Sequence, residues 1–165
     1  ITLRLVPHTA NVAPVGAIAL FAGALLGRRA GLIAPLVVMI IADLFLGLHS
    51  AVLFTWGGFA LIGLFGSLLA KRSTFARIGL GALGSAFIFY IVSNFGVWLT
   101  SGMYTHTFAG LIECYTLALP FLRASFMGDL AFAATFFGLY ALFAQQLAGT
   151  VSLRSSGRHK QTVRA

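Results

Sequence analysis

The residues of this chain that could do chemistry are three acids, four histidines and one cysteine, spread over most of the sequence. Imidazole and carboxylate groups are common ligands of divalent cations, so His8 and His49 could form a metal site with Asp43 and Glu113. No HxxxH or HExxH spacing occurs in the sequence. A metal site therefore stays an open alternative to histidines that are simply solvated at a membrane surface.

Cys114 is the only cysteine, which excludes an internal disulfide and a metal cage built from cysteines. With His106 or His49 it could act as a nucleophile with its base, but a buried cysteine more often serves as a small apolar side chain. The sequence contains no Walker, GxSxG, HExxH or CxxC motif. We therefore expect no enzyme and no protein-held cofactor.

Asp43 is the sharpest single candidate because it lies more than a turn inside an apolar run. A charged side chain at the centre of a bilayer costs about 2.5–3.5 kcal/mol on insertion scales, and such residues usually serve a ligand, an ion or a proton. The alternatives for Asp43 are capping of a neighbouring helix or an ion pair with Arg4. Asp129 follows the start of the last apolar run by about one turn, where an acid also complements the helix dipole.

Aromatic and polar residues cluster around the same apolar runs. Trp56, Trp98 and Tyr104 could form the aromatic belt of a membrane interface or the walls of a pocket for a flat organic ligand. Arg123 could bind an anionic ligand group or pair with an acid. The candidate ligand-binding residues are His8, Asn11, Asp43, His49, Trp56, Asn94, Trp98, Tyr104, Cys114, Tyr115, Arg123 and Asp129.

The elements that must position these residues are membrane helices. The chain has 165 residues, of which 59% are hydrophobic and 8% charged, against about 25% charged residues in soluble domains. Apolar runs at 10–27, 30–48, 51–70, 78–100 and 124–149 each approach the length of a spanning helix, about 20 residues. Ala19, Gly23 and Gly27 repeat at four-residue spacing, which lets helices approach closely.

The net charge of +8 reflects short basic clusters between the apolar runs, which indicate topology rather than nucleic-acid binding. Nine of the eleven basic residues fall on one side of the bilayer if 104–123 does not span it. We therefore expect 104–123 to be a long external loop, or a short helix dipping into the membrane and backed by protein.

These patterns predict an all-α, polytopic transmembrane bundle of about six helices. The first is a truncated helix that ends near Leu5. The domain would cover 1–151, followed by a basic, disordered cytoplasmic tail over 152–165. Both termini would be cytoplasmic, in a bacterial inner membrane. The external face would then collect most of the polar candidates.

Four stretches carry a resemblance: RLVPHTANVAPVGAIALFAG, ADLFLGLHS, SNFGVWLTSGMY and AGLIECYTLALPF. They resemble an uncharacterised bacterial family of integral membrane transport proteins, over nearly the whole chain. The architecture resembles the substrate-binding S components of energy-coupling factor (ECF) transporters, whose outer loops close over a vitamin or a metal-related micronutrient. The small-residue ladder stands in the second predicted helix, whereas S components dock on their partner through such a motif in the first.

The resemblance implies a membrane-embedded binding protein for uptake of a small nutrient, held under the extracytoplasmic loops. Its partners would be the lipid bilayer, a small-molecule ligand and an ECF coupling protein with ATPases, or other membrane subunits. The alternative is a small accessory or structural subunit of a larger membrane complex. A membrane enzyme built on Cys114 is the third reading.

Overall fold

The computed structural model describes residues 14–69 and 74–162, without the side chains of 75 and 147–162. This part of the chain is all helical. Its helices are α1 (Val15–Leu26), α2 (Arg28–Leu46), α3 (Val52–Leu69), α4 (Phe75–Thr100) and α5 (Phe108–Thr162). The truncated first helix that the sequence predicts lies outside the described residues.

Four helices are long and apolar enough to cross a membrane, namely Arg28–Leu46, Val52–Leu69, Ala76–Thr100 and Phe108–Gln146. Their outer faces carry large exposed apolar side chains such as Leu44, 76% exposed, and Leu68, 78% exposed. Soluble proteins rarely expose apolar surface on this scale. The prediction of an integral membrane protein with a helical bundle is therefore confirmed.

The short helix α1 forms the centre of the bundle. It begins after Pro14, ends at Gly27 and contacts each of the other four helices. Eight of its 12 residues are buried, as expected of a helix that is apolar on every side. Gly27 has a φ of 89°, a conformation that glycine adopts without strain, and it turns the chain directly into α2.

Glycines let α1, α2 and α3 cross at very short distance. A Cβ atom on Gly31 would lie 2.6 Å from the carbonyl oxygen of Gly63 and 2.7 Å from the Cα of Gly23. A Cβ atom on Gly63 would overlap the carbonyl of Gly31. Gly23 therefore packs as the small-residue ladder predicts, but Gly27, the last member of that ladder, forms the turn instead.

The core continues from this crossing toward α5 through aromatic rings. Phe21 packs edge-on against Phe137 with ring centroids 5.1 Å apart and against Tyr140 at 6.1 Å. Leu20, Met39 and Ile62 are fully buried beside it. Residues 129–140 of α5 therefore pack against α1, while the preceding part of α5 packs against α4.

The largest difference from the sequence prediction concerns 104–123, which was expected to be an external loop. The connection after α4 is short, and α5 is helical without interruption from Phe108. Its apolar part spans 39 residues, about 58 Å of helix, whereas the hydrocarbon core of a bilayer is about 30 Å thick. Pro120 is accommodated inside this helix, as proline often is in membrane helices with neighbouring helices around them.

The tail also differs from the expectation of disorder, since the backbone of α5 stays helical to Thr162. Extending an existing helix fixes one residue for each new hydrogen bond and avoids the cost of nucleation. The polar residues after Val151 can therefore continue α5.

Candidate ligand cavity

A cavity of about 610 Å³ lies inside the bundle and is lined by residues from all five helices. Its apolar wall includes Phe59 and Phe89, whose rings stack with centroids 4.6 Å apart. We name it the Asp129 cavity after the one acid among its described lining residues. Its polar lining residues are His49, Thr55, Ser93, Asn94, Tyr104, Cys114, Ser125 and Asp129.

Asp129 is the most deeply placed charged group of this lining. Its side chain is 7% exposed, and no described residue forms a hydrogen bond or ion pair with it. It lies against the bare Cα of Gly16, where a Cβ atom would be 2.5 Å from its Oδ1. A buried carboxylate without a partner is costly in an apolar environment, so this acid is available to a ligand.

The position of Asp129 along the helix differs from the sequence prediction. The sequence suggested a site one turn into a helix, where the dipole alone could explain an acid. Because α5 begins at Phe108, Asp129 lies about six turns from the helix start. The dipole effect is confined to the first turn, so that explanation is wrong.

Three neutral polar side chains of the cavity lining already donate hydrogen bonds to backbone carbonyls. The Thr55 hydroxyl donates to the carbonyl oxygen of Ala51 at 3.2 Å, and the Ser93 hydroxyl donates to that of Phe89 at 2.6 Å. Asn94 donates from Nδ2 to the Tyr90 carbonyl at 2.8 Å. A hydroxyl that has donated its proton keeps only acceptor capacity, so these hydroxyls can offer a ligand only acceptors.

Three sequence candidates close one end of the cavity. His49 belongs to the exposed connection between α2 and α3, and Tyr104 to the connection between α4 and α5. Burial raises the pKa of Tyr104 above its ordinary value, with smaller contributions from Cys114 and Glu113, so its hydroxyl stays neutral. Cys114 is 2% exposed and its thiol donates to the carbonyl oxygen of Asn94 at 3.5 Å.

Asp43 and Trp56 form a contact of their own outside the cavity lining. The Trp56 indole Nε1 donates to Oδ2 of Asp43 at 2.8 Å, and Asp43 is 2% exposed. This bond joins α2 to α3 one helical turn or so below their connecting loop. The structure therefore gives both residues a definite packing role. The structural alternatives predicted for Asp43 were capping of a neighbouring helix or an ion pair with Arg4, which lies outside the described residues, and the partner that the structure shows is Trp56.

Trp98 and Tyr115 also contact backbone rather than the cavity. Trp98 donates from Nε1 to the carbonyl oxygen of Thr105 at 2.9 Å and so holds the connection after α4. Tyr115 donates to the carbonyl of Ile91 at 2.6 Å, and Tyr90 donates back to the carbonyl of Tyr115 at 2.6 Å. This reciprocal pair fastens α4 to α5.

Arg123 lies in a different place from both the cavity and the external face where the sequence placed it. It lines an apolar cleft of about 580 Å³ between α4 and α5, together with Leu83 and Phe87. Phe87 stands at the midpoint of α4, and Arg123 is about four turns from the start of α5. The continuous helix from Phe108 carries this arginine deep along the bundle.

The remaining sequence candidates lie outside the described residues or away from the cavity lining. His8 and Asn11 lie outside the described residues, and Glu113 is exposed on α5. Among the described residues, no three histidine, cysteine or acidic side chains come together as a metal site would need. Sequence reasoning missed Gly16, Thr55, Ser93 and Ser125, because small and hydroxyl residues inside apolar helices have no distinctive pattern.

Comparison with known proteins gives one family assignment. Neither curated proteins nor solved structures show a match to this chain. The model of a family described as "Family of unknown function (DUF6580)" matches residues 1–152. This match covers nearly all of the membrane bundle, so the chain belongs to the DUF6580 family.

Proposed function

We propose that this chain is a membrane-embedded substrate-binding protein that takes part in the uptake of a small nutrient. The observation that carries the proposal is the Asp129 cavity, a polar-lined space inside a bundle of apolar helices. Its volume of about 610 Å³ falls in the range of small-molecule sites, about 300–1,000 Å³. Polar and ionisable groups inside a membrane are expensive and usually mark a substrate or ion pathway.

The ligand would enter from the end where His49 and Tyr104 lie. Arg28 and Arg29 at the start of α2 and Arg77 near the start of α4 lie at the opposite end, which the positive-inside rule assigns to the cytoplasm. Entry would then be extracytoplasmic, both termini would be cytoplasmic, and the membrane would be a bacterial inner membrane. The resemblance to ECF S components suggests a coupling protein and ATPases as the source of energy.

The direct test is to fill the cavity. Ala118 is 4% exposed and lines it, so Ala118→Trp would occupy ligand space. Native mass spectrometry of the gently extracted wild-type protein should show a bound small molecule. We expect the variant to lose at least nine-tenths of this bound fraction, because the added indole takes the place of the ligand.

The matched control is Ala131→Trp, on the exposed face of the same helix, which should keep the ligand. Equal occupancy in the wild-type protein and in Ala118→Trp, or no small molecule in either, would contradict the binding function.

A second function, as an accessory subunit of a larger membrane complex, is favoured by Arg123. Its side chain is exposed beside the apolar cleft and pairs with none of the described residues. An arginine facing lipid near mid-helix costs about 2.5–3.5 kcal/mol on insertion scales. A carboxylate on a helix of another subunit would offset that cost.

The expected result for Arg123→Gln is the loss of a stoichiometric partner subunit in native mass spectra of the extracted complex. Arg77→Gln is the control, because Arg77 is exposed near the start of α4, where a charge reaches the membrane surface. A chain that remains monomeric in both wild-type and variant forms would rule the accessory function out.

A further inference from the structure

We propose that the ligand of the Asp129 cavity is a small organic cation, a protonated amine with an aromatic or branched apolar body. Its ammonium group would pair with Asp129. This assignment rests on the proposed binding function and names its substrate class. Three features of the cavity point to it: its charge, its hydrogen-bonding groups and its aromatic wall.

The charge of the lining is one-sided. Among the described residues, Asp129 is the only carboxylate of the lining, and no lysine or arginine belongs to it. The one basic side chain among the described lining residues is that of His49, which lies in the exposed connection at one end. A carboxylate that is nine-tenths buried and has no partner among the described residues is stabilised by an opposite charge and disfavours an anionic ligand.

Two hydroxyl groups of the lining favour a ligand that donates hydrogen bonds. The donors of Thr55 and Ser93 are bound to backbone carbonyls, and the thiol of Cys114 is bound to that of Asn94. What remains on the two hydroxyls is acceptor capacity. An ammonium group has three donors and no acceptor, so it complements both these oxygens and the Asp129 carboxylate.

The aromatic side chains of the lining suit the rest of such a molecule. Phe59 and Phe89 stack on each other at one side of the cavity, and Phe121 lines it from α5. Aromatic faces attract organic cations within about 6 Å of the ring centroid and pack well against an apolar body. A bare metal ion is not favoured, since the described residues offer no cluster of three ligating side chains.

The test compares three probes that share one aromatic body: 2-phenylethylammonium, 2-phenylethanol and 3-phenylpropionate. Binding to the full chain in lipid nanodiscs is measured by calorimetry at pH 7.5, with empty nanodiscs subtracted. The ammonium probe should bind at least tenfold more tightly than either of the others. Asp129→Asn, which keeps the shape of the side chain, should reduce that affinity at least tenfold and leave the alcohol unaffected.

A second variant guards against misfolding as the cause. Gly16→Ala retains the Asp129 carboxylate but brings a methyl group within 2.5 Å of its present Oδ1 position, so the carboxylate must shift. This variant should weaken the binding of the ammonium probe only. The control Gly57→Ala meets no atom within 4 Å and should bind all probes as the wild type does.

Equal or weaker binding of the ammonium probe relative to the alcohol would overturn the cationic assignment, because Asp129 would then act as a neutral hydrogen-bonding group or not at all. Tightest binding of the carboxylate probe would overturn it as well. Either result leaves the binding function itself to be decided by Ala118→Trp, whose mass spectrum does not depend on the charge of the ligand.

Discussion

Gly63→Ala should destabilise the bundle by about 1–3 kcal/mol, the usual cost of forcing an extra methyl group into a packed interior. The new Cβ atom would overlap the carbonyl of Gly31 on α2. Backbone cannot rotate away as a side-chain tip can, so α2 and α3 would have to separate. Because α1 crosses at the same point through Gly23, three helices would shift together.

The matched control for this change is Gly57→Ala in the same helix. No atom lies within 4 Å of a Cβ at Gly57, and alanine is favoured over glycine in a helix by about 0.5–1 kcal/mol. Titration of the detergent-solubilised variants with SDS gives their free energies of unfolding. Equal stability of the two variants would show that the glycine crossing tolerates a wider spacing.

The fold class follows from the sequence because composition alone excludes a soluble core. The ends of α2 and α3 are also well predicted, since Gly47 stops one helix with a φ of 88° and the polar pair His49 and Ser50 follows it. Hydrophobic runs are reliable guides where short breaks separate them. The sequence therefore predicts the hairpin of α2 and α3 to within a few residues.

The start of α5 could not be predicted from hydrophobic runs in this way. Glu113, Pro120 and Arg123 interrupt its apolar pattern, and each is a normal sign of a loop at a membrane surface. In the structure Glu113 is exposed on the part of α5 nearest Phe108, and Pro120 costs only one hydrogen bond of a very long helix. Packing against α4, fastened by Tyr90 and Tyr115, outweighs these local signals.

The residues of the cavity were likewise only partly predictable from the sequence. Asn94 and Asp129 were predicted from their polarity inside apolar runs and Cys114 as part of the segment 104–123, and all three line the same space. The sequence could not separate them from Asp43, whose polarity is satisfied by Trp56 on a neighbouring helix. That difference depends on which sides of the helices pack against each other, and hydropathy carries no information about this packing.

Trp56→Phe should destabilise the protein by about 1–3 kcal/mol, the cost of leaving a buried acceptor without one of its donors. The indole Nε1 of Trp56 donates to Oδ2 of Asp43 at 2.8 Å, and Asp43 is 2% exposed, so water cannot replace the lost donor. Trp98→Phe removes the same atoms from a bond to Thr105 that is exposed, and water can substitute there. The control should therefore cost at most about 1 kcal/mol.

A double-mutant cycle with Asp43→Leu, in which the new side chain has a similar shape but no acceptor, separates this bond from the packing of the indole ring. Each single change alters other contacts of its residue, but the coupling free energy reports only the interaction between Asp43 and Trp56. We expect a coupling of at least about 1 kcal/mol, within the range of about 0.5–3 kcal/mol for contacting residues. A coupling near zero would contradict this prediction, because it would mean that the stability contributed by Asp43 does not depend on the indole.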